Sequence, residues 1–346
     1  MAGRTQGTPR SLGWLAFLGA VLALVLPCAA EAAYPGANGR LAFTVEVWHP
    51  PPPPDPIPPE YPHPGLPIEP VLVSSRIVSV TPNGRRKRRL HTVPVGTGPY
   101  YGSPEPAFSP DGQRIAFDER GQLAIMRHDG TGLRMLPRQS DRDYGPAWSP
   151  TGRRLAFSGY RPCPLYCWTL YVVRSDGTGL REMRPYEAQR PAWSVRGRIA
   201  FLNNDDQYRM TIGPRDGLYS IRPDGTRLRR LFGGFVALGS EPDWSPDGRR
   251  LAFRARSRIV TMNADGSGRR AITEAGRGFS HPAWSPDGKY IAVVGGDPET
   301  GDHGLYVMRP NGRGVRRIVV GRRKTSRGEL TEWQQFGPPS WQPLPR

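Results

Sequence analysis

The sequence predicts an all-β fold: a six-bladed β-propeller of four-stranded blades, closed by pairing the N- and C-terminal strands in one blade. Three observations predict it. One half-motif occurs five times, a second half-motif follows each copy, and the two chain ends supply complementary parts of a sixth unit. The 42 Gly and 40 Pro among 346 residues suit short strands joined by tight turns and argue against long helices.

The first half-motif runs Pro106-Ala-Phe-Ser-Pro-Asp-Gly-Gln-Arg-Ile-Ala-Phe117 and returns at Pro146, Pro191, Pro242 and Pro282. Its Pro-Ala-Trp-Ser portion predicts a short inner strand. Ser-Pro-Asp-Gly predicts a type I turn, because Pro presets φ at the second position and Gly closes the turn. The Arg-Leu-Ala-Phe portion predicts the second strand. The copies are spaced by 40, 45, 51 and 40 residues, close to the length of one blade.

The second half-motif is clearest in Leu170-Tyr-Val-Val-Arg-Ser-Asp-Gly177, which leads into Thr178-Gly-Leu-Arg-Glu-Met183. The apolar run predicts a third strand that is covered on both sides. Asp-Gly-Thr-Gly predicts a turn, and the alternating segment after it predicts the fourth strand. A lone blade cannot bury both of its faces, so the blades are expected to stack in a ring.

The chain ends complete that ring. Asn38-Gly-Arg-Leu-Ala-Phe43 predicts a second strand that lacks a first, and residues 77–84 and 85–90 supply strands three and four. Pro339-Ser-Trp-Gln-Pro343 predicts a lone inner strand. Joining these segments makes a sixth blade, and closure hides the edges that an open stack of sheets would expose.

The repeated Pro-x-Trp-Ser-Pro-Asp-Gly-x-x-Ile/Leu-Ala-Phe, followed by Leu-Tyr-x-Met/Val-x-x-Asp-Gly, resembles the TolB-type, WD-like β-propeller repeat family. The resemblance covers essentially all of residues 36–343. It implies a six-bladed propeller outside the cytoplasm that binds other proteins, and it is specific for fold rather than for function. The sequence shows no separate N-terminal α/β domain of the kind that TolB carries before its propeller.

Residues 1–32 have the pattern of a signal peptide: the basic Arg4 and Arg10, an apolar run over 12–26, and the small residues Ala30 and Ala32. We therefore expect a mature propeller of residues 33–346 that is secreted, periplasmic or associated with the cell envelope. A retained anchor is the alternative, but the apolar run is shorter than the roughly 20 residues of a membrane span. The sequence leaves open whether the protein is lipid-anchored or freely released.

The formal net charge is +18. Cleavage after Ala32 removes two Arg and one Glu, which leaves +17. A basic protein favours anionic partners, and the run over 85–89 (Arg-Arg-Lys-Arg-Arg) is of the kind that binds nucleic acid. Export removes the chain from nucleic acid, and many Arg residues recur on outer strands, where charge prevents edge pairing. The predicted partner is a protein or an anionic cell-envelope polymer, and a monomer is expected.

After cleavage the remaining cysteines are Cys163 and Cys167. Because an oxidising compartment favours disulfides, these two cysteines predict a local disulfide. Two free thiols, or half of a metal site, are the alternatives. The closed loop would be too short to change global stability much.

The predicted strand order divides the loops between two faces. The turn face carries the Ser-Pro-Asp-Gly and Asp-Gly-Thr-Gly turns. The opposite, long-loop face carries the length variation, at residues 44–75, 158–168, 202–217, 294–304 and 320–337. Variable loops on a rigid scaffold favour binding there, although neutral loop drift gives the same pattern.

A proline-rich insertion at residues 48–70 is the longest of these loops. Twelve prolines lie between Pro50 and Pro70. The predicted partner-binding residues are Trp48, His49, Tyr61 and His63. Such a segment favours an extended polyproline II conformation, which an aromatic-lined groove on another protein can bind. A stiff, solvated spacer remains the alternative.

The channel mouth is a second candidate site. The residue before each inner-strand proline is expected to point toward one channel entrance. Four of these positions predict a site for a charged ligand: Glu105, Arg190, Glu241 and His281. A solvated rim whose charges cancel is the alternative.

The sequence has no nucleophile elbow, no His-Glu-x-x-His and no phosphate-binding loop, and its six histidines have no metal-ligand spacing. We therefore predict no catalytic residue, no metal and no cofactor, and a binding scaffold rather than an enzyme. The alternative is a carbohydrate-active lyase or hydrolase with its site at the channel mouth.

Overall fold

The computed structural model describes residues 34–50, 70–94, 104–161, 167–186, 188–203, 216–234, 241–296, 303–321, 323–326 and 329–345. These residues form six antiparallel sheets, the blades of a six-bladed β-propeller. The predicted fold is therefore confirmed. Within the described ranges, no helix has the length and apolar character needed to cross a bilayer.

Blade 1 takes strands from both chain ends. It contains β1 (Ala37–His49), β2 (Val71–Val80) and β3 (Arg88–Val93). The next two blades are blade 2, with β4 (Ala107–Phe108), β5 (Arg114–Glu119), β6 (Gln122–Arg127) and β7 (Arg134–Met135), and blade 3, with β8 (Arg142–Trp148), β9 (Arg154–Arg161), β10 (Cys167–Arg174) and β11 (Arg181–Tyr186).

Three further blades complete the ring. Blade 4 contains β12 (Ala188–Trp193), β13 (Ile199–Asn203), β14 (Gly217–Ile221) and β15 (Arg229–Gly233). Blade 5 contains β16 (Asp243–Trp244), β17 (Arg250–Ala255), β18 (Arg258–Asn263) and β19 (Arg270–Ala271). Blade 6 contains β20 (Ser280–Trp284), β21 (Ile291–Gly296), β22 (His303–Met308) and β23 (Arg316–Val320). The C-terminal strands are β24 (Arg323–Ser326), β25 (Glu329–Phe336) and β26 (Ser340–Leu344).

The ring closes as predicted. β26 pairs with the first half of β1, with Trp341 opposite Leu41. The long β1 continues to His49, and its second half pairs with β25, where Trp333 lies opposite Trp48. The segment over 320–337, expected as a variable loop, therefore contains a hairpin that widens blade 1 on the long-loop face.

The core lies between neighbouring blades. Leu123 and Ile125 of blade 2 pack against Trp148 and Phe157 of blade 3 in one buried cluster. A hydrogen bond crosses the same boundary, since the Trp148 indole Nε1–H donates to the Ala107 carbonyl at 2.9 Å. Matching indole bonds run from Trp244 to Ala192 and from Trp341 to Ala283, both at 3.1 Å. Trp148, Trp244 and Trp341 thus each supply apolar area and a polar bond to the preceding blade.

The Ser-Pro-Asp-Gly turns have the predicted geometry. In blade 2 the Gly112 N–H donates to the Ser109 carbonyl at 2.8 Å, and Gly112 has a φ of +66°. Gly has no Cβ, so it adopts this left-handed conformation without strain. The Ser109 hydroxyl also accepts from the backbone N–H of Arg114 at 2.9 Å, which connects the turn to the second strand.

Candidate functional site

The channel mouth is built on β-bulges. In β8, β12 and β20 the pairing register shifts at the residue that precedes the inner-strand proline. These residues are Gly145, Arg190 and His281, and their φ values are +61°, +54° and +52°. A left-handed conformation is unusual for Arg and His, and bulges of this kind re-aim a side chain. The bulges direct Arg190 and His281 toward the channel entrance.

The four predicted mouth residues come together in one cluster. Arg190 Nη1 contacts Glu105 Oε1 and lies 3.3 Å from Glu241 Oε1. His281 Nε2 lies 3.3 Å from Glu241 Oε2. The exposed side-chain fractions are 13–22%, so the cluster is largely withdrawn from water. These residues belong to blades 2, 4, 5 and 6, and the cluster therefore spans the mouth.

Burial and charge set the protonation of this cluster. Burial disfavours the Glu241 carboxylate, but His281 and Arg190 outweigh that effect and hold the pKa of Glu241 below its ordinary value. Burial also lowers the pKa of His281, against the opposing attraction of Glu241. His281 and Arg190 thus both face the Glu241 carboxylate, and burial and the attraction to Glu241 act on the pKa of His281 in opposite directions.

Gly145 occupies the mouth position of blade 3. A Cβ at this position would lie 3.1 Å from Glu105 Oε2 and would take an unfavourable positive φ. The glycine leaves room for the Glu105 carboxylate. The Arg190 guanidinium also lies over the Tyr144 ring, with 5.8 Å between Cζ and the ring centroid.

A second layer lies below the mouth, at the position that follows the aromatic of each second strand. Asp118 Oδ1 accepts from the backbone N–H of Glu105 at 3.0 Å, and Ser158 Oγ accepts from that of Arg190 at 3.0 Å. Thr44 Oγ1 donates to the Pro104 carbonyl. These side chains position the mouth residues through their backbone. The sequence interpretation missed this layer, although its place after the repeated Phe marks it.

The sequence interpretation did not single out two further acids, the buried Asp118 and the half-buried Asp243. Desolvation raises the pKa of Asp118 to about 8 and that of Asp243 to about 7. Asp243 Oδ2 accepts from the Trp284 backbone N–H at 2.6 Å. Ala stands at the matching position of four other inner strands, and Ser340 stands there in blade 1. The Asp in place of the repeated Ala is the sequence feature that could have identified Asp243.

Below the mouth, the channel holds a cavity of about 170 Å³ that is lined by inner-strand residues of all six blades. Tyr34 lines the cavity and donates its hydroxyl to the Trp148 carbonyl at 3.1 Å. The neighbouring Gly36 N–H donates to the Pro286 carbonyl in a turn of blade 6. The segment before β1 therefore lies at the turn-face end of the channel.

The remaining predicted residues lie apart from this cluster. Trp48 and His49, assigned to the proline-rich insertion, belong to β1, where they pair with Leu72 and Val71. Trp48 Nε1 donates to Glu46 Oε2 at 3.2 Å, and His49 Nε2 lies 3.9 Å from Glu332 Oε2. Tyr61, His63, Cys163 and residues 1–32 are outside the described residues, as is the Cys167 side chain. Among the side chains that are described, no three His, Cys, Asp or Glu group as a metal site.

Comparisons with known proteins identify the propeller type. A curated "Protein TolB homolog" from Chlorobium luteolum is 30% identical over 132 residues, which cover 36% of this chain and 26% of that protein. The match therefore spans about a quarter of the relative's length. No family model matches the chain.

Two solved structures extend the likeness over most of the chain. A putative TolB from Agrobacterium tumefaciens has a TM-score of 0.58 and 18% identity, over 86% of this chain and 99% of that one. TolB from Acinetobacter baumannii has a TM-score of 0.61 and 14% identity, over 88% of this chain and 67% of that one. At these identities the likeness is one of fold.

Proposed function

Because the chain folds as a β-propeller of the TolB type, we propose that it is a non-enzymatic scaffold that binds a partner through its long-loop face. The partner is a protein or an anionic envelope polymer, and binding takes place outside the cytoplasm. The location rests on the signal-peptide pattern of residues 1–32.

The observation that carries this proposal is the gathering of unlike charged side chains from four blades at one mouth. Arg190 lies between Glu105 and Glu241, and it is held there by backbone bonds to the layer below. Such pre-organised groups on a rigid scaffold lose little entropy when a partner binds.

A projecting sheet next to the mouth enlarges this surface. β1, β2 and the β24–β25 hairpin extend blade 1 on the long-loop face, and the proline-rich insertion connects β1 to β2. Val71 and Val73 at the start of β2 are 49% and 45% exposed. Exposed apolar side chains beside a charged cluster suit a protein partner better than a purely anionic polymer.

Affinity capture from an envelope extract tests the proposal with the full chain as bait. One variant replaces residues 51–69 by a short Gly-Ser linker, which preserves the pairing of His49 with Val71. A second is Glu241→Gln. We expect each to reduce partner capture without loss of folding, as judged by circular dichroism. Capture that survives both changes together would reject the long-loop face as the binding surface.

The carbohydrate-active alternative has one observation in its favour. His281 Nε2 lies 3.3 Å from Glu241 Oε2, and an imidazole next to a carboxylate has the groups of an acid–base pair. The channel of about 170 Å³ is smaller than the roughly 300–1,000 Å³ of most ligand pockets, so a sugar chain would have to lie outside it. A screen for glycan cleavage distinguishes the enzyme from the scaffold. Turnover by the wild type that is lost in a folded Glu241→Gln variant would establish an enzyme.

A further inference from the structure

A basic groove lies on the turn face between blades 5 and 6, away from the channel mouth. Its volume is about 650 Å³. Four cationic side chains line it: Arg250, Arg270, Lys289 and Arg309. Tyr290 and Asn311 also line it, and no carboxylate is among the described residues that line the groove.

The turn that borders this groove carries Asn, as the turn of blade 1 does at Asn83, and so differs in charge from the turns of blades 2 to 5. In blades 2 to 5 the second half-motif places an Asp at this position, such as Asp176, which accepts from the Thr178 N–H and hydroxyl at 2.8 and 2.7 Å. Those hydrogen bonds lower the pKa of Asp176, so it is ionised. In blade 6 the position is Asn311, whose Oδ1 accepts from the Arg313 N–H at 3.0 Å. Asn311 therefore keeps the hydrogen bond within the turn but lacks the negative charge of an Asp carboxylate.

The arginine on the opposite wall also differs from its counterparts in blades 2 and 3. Arg134 of blade 2 donates to the Ser175 carbonyl of the next blade at 2.7 Å, and Arg181 of blade 3 donates to the Asp224 carbonyl. Arg270 holds the same position in blade 5, and within the described ranges it makes no such bond to the turn of blade 6. Its guanidinium lines the groove without a hydrogen bond to a described residue.

Arg250 is held in place by packing instead of by an ion pair. Its Cζ lies 4.8 Å from the centroid of the Trp284 ring, so the guanidinium is close to the indole. A guanidinium that is packed against an aromatic ring can still offer its N–H edge to an oxyanion, and its fork matches phosphate geometry. Tyr290 is 39% exposed next to it.

From this geometry we propose that the groove binds a phosphate group carried by a sugar. The oxygens of a phosphate can accept from cations on both walls, whereas a carboxylate has two oxygens. The half-exposed Tyr290 ring gives a sugar an apolar face, and the NH₂ group of Asn311 gives its hydroxyls a donor. The groove is independent of the proposed long-loop interface, which lies on the other face of the ring.

Isothermal titration calorimetry at low salt tests the site with glucose 6-phosphate, inorganic phosphate and glucuronate. We expect glucose 6-phosphate to bind more tightly than either of the other two. Arg250→Gln with Arg270→Gln should weaken binding by about tenfold or more, because charged hydrogen bonds are lost. The matched control is Arg114→Gln with Arg134→Gln, which removes the same charge at the same positions between blades 2 and 3.

Asn311→Asp is the sharpest variant, because it restores the residue that blades 2 to 5 carry and should leave folding intact. We expect it to weaken glucose 6-phosphate binding by about tenfold through like-charge repulsion. Unchanged binding in Asn311→Asp, or an equal loss in the blade 2/3 control, would overturn the site in favour of diffuse attraction to a basic surface.

A second arm identifies the source of the phosphate. Vesicles that contain phosphatidylglycerol are compared with the sugar phosphate at equal phosphate concentration. Vesicle binding that Asn311→Asp abolishes would assign a lipid headgroup as the source, and binding of the sugar phosphate alone would assign a soluble or polymer-linked sugar. Asn311→Asp should leave partner capture at the long-loop face unchanged, so failure of one proposal is distinguishable from failure of the other.

Discussion

The two faces of the ring hold their polar groups in different ways. On the turn face the Ser-Pro-Asp-Gly turns form hydrogen bonds within themselves: Asp287 Oδ1 accepts from the Ser285 hydroxyl at 2.6 Å and from the Lys289 N–H at 3.0 Å. Further hydrogen bonds there join a blade to its neighbour, such as the bond from Arg134 to the Ser175 carbonyl. At the mouth, Arg190 of blade 4 contacts Glu105 of blade 2 and Glu241 of blade 5. The turns therefore repeat a local arrangement, whereas the mouth cluster joins blades 2 and 4, which are not neighbours, and so depends on the closed ring.

This difference predicts that substitutions on the turn face act singly and that substitutions at the mouth are coupled. Local hydrogen bonds at well-separated sites contribute additively to stability, but residues that share a charge network do not. Four predictions test the contrast, and the expected effects decrease in the order given.

Arg190→Met should have the largest effect, a loss of about 3 kcal/mol in the free energy of unfolding, because it leaves two largely buried carboxylates facing each other. Urea unfolding measures it. Adding Glu105→Gln should recover part of the loss. Arg153→Met, an exposed turn-face control, should stay within about 0.5 kcal/mol of the wild type. A loss at Arg190 no larger than the control would mean that the mouth charges are not coupled.

Asp118→Asn should stabilise the protein, and the gain should grow as the pH rises from about 4 to about 8. These limits are the pKa of an unfolded Asp and the pKa of Asp118 in the folded protein. Over that range the folded state binds more protons than the unfolded state, so wild-type stability falls with pH. Asn can still accept from the Glu105 N–H. Melting temperatures of the two proteins at pH 5 and pH 8 should diverge by several degrees, and parallel curves would contradict a raised pKa.

Asp243→Ser should act in the same direction but over a narrower range, since the pKa of Asp243 is raised to about 7. Ser340 at the matching position of blade 1 accepts from the Phe108 N–H at 3.0 Å, so Ser can replace the bond that Asp243 makes to Trp284. Thermal melts at pH 8 should show the gain, and it should shrink toward pH 4. A lower melting temperature at pH 8 would show that the carboxylate itself is needed.

Asp247→Ala and Asp287→Ala should have the smallest effects, about 0.5 kcal/mol each. Burial opposes their ionisation, but the hydrogen bonds from Ser245 and Ser285 outweigh it, so the pKa of each lies below its ordinary value. The stabilisation is therefore present above pH 4 and is lost as the pH falls through the lowered pKa values. The double variant should lose the sum of the two single losses in the free energy of unfolding. A marked departure from that sum would show that substitutions on the turn face are coupled, like those at the mouth.

The sequence determined the repeating unit and the closure of the ring. The Pro-Ala-Trp-Ser and Asp-Gly segments encode short-range geometry, because Pro and Gly restrict φ locally and alternating residues must face a neighbouring sheet. The same local rules placed Glu105, Arg190, Glu241 and His281 at equivalent positions, and the structure brings them together at one mouth.

The tertiary structure decided what those positions contact and how they ionise. Arg190 lies between two carboxylates because blades that are distant in sequence meet at the channel, and Asp118 and Asp243 have raised pKa values because the packed ring excludes water from them. The β24–β25 hairpin pairs with β1 across most of the chain length, which no local pattern encodes. Local rules act over a few residues, whereas pairing partners and desolvation depend on every blade being in place.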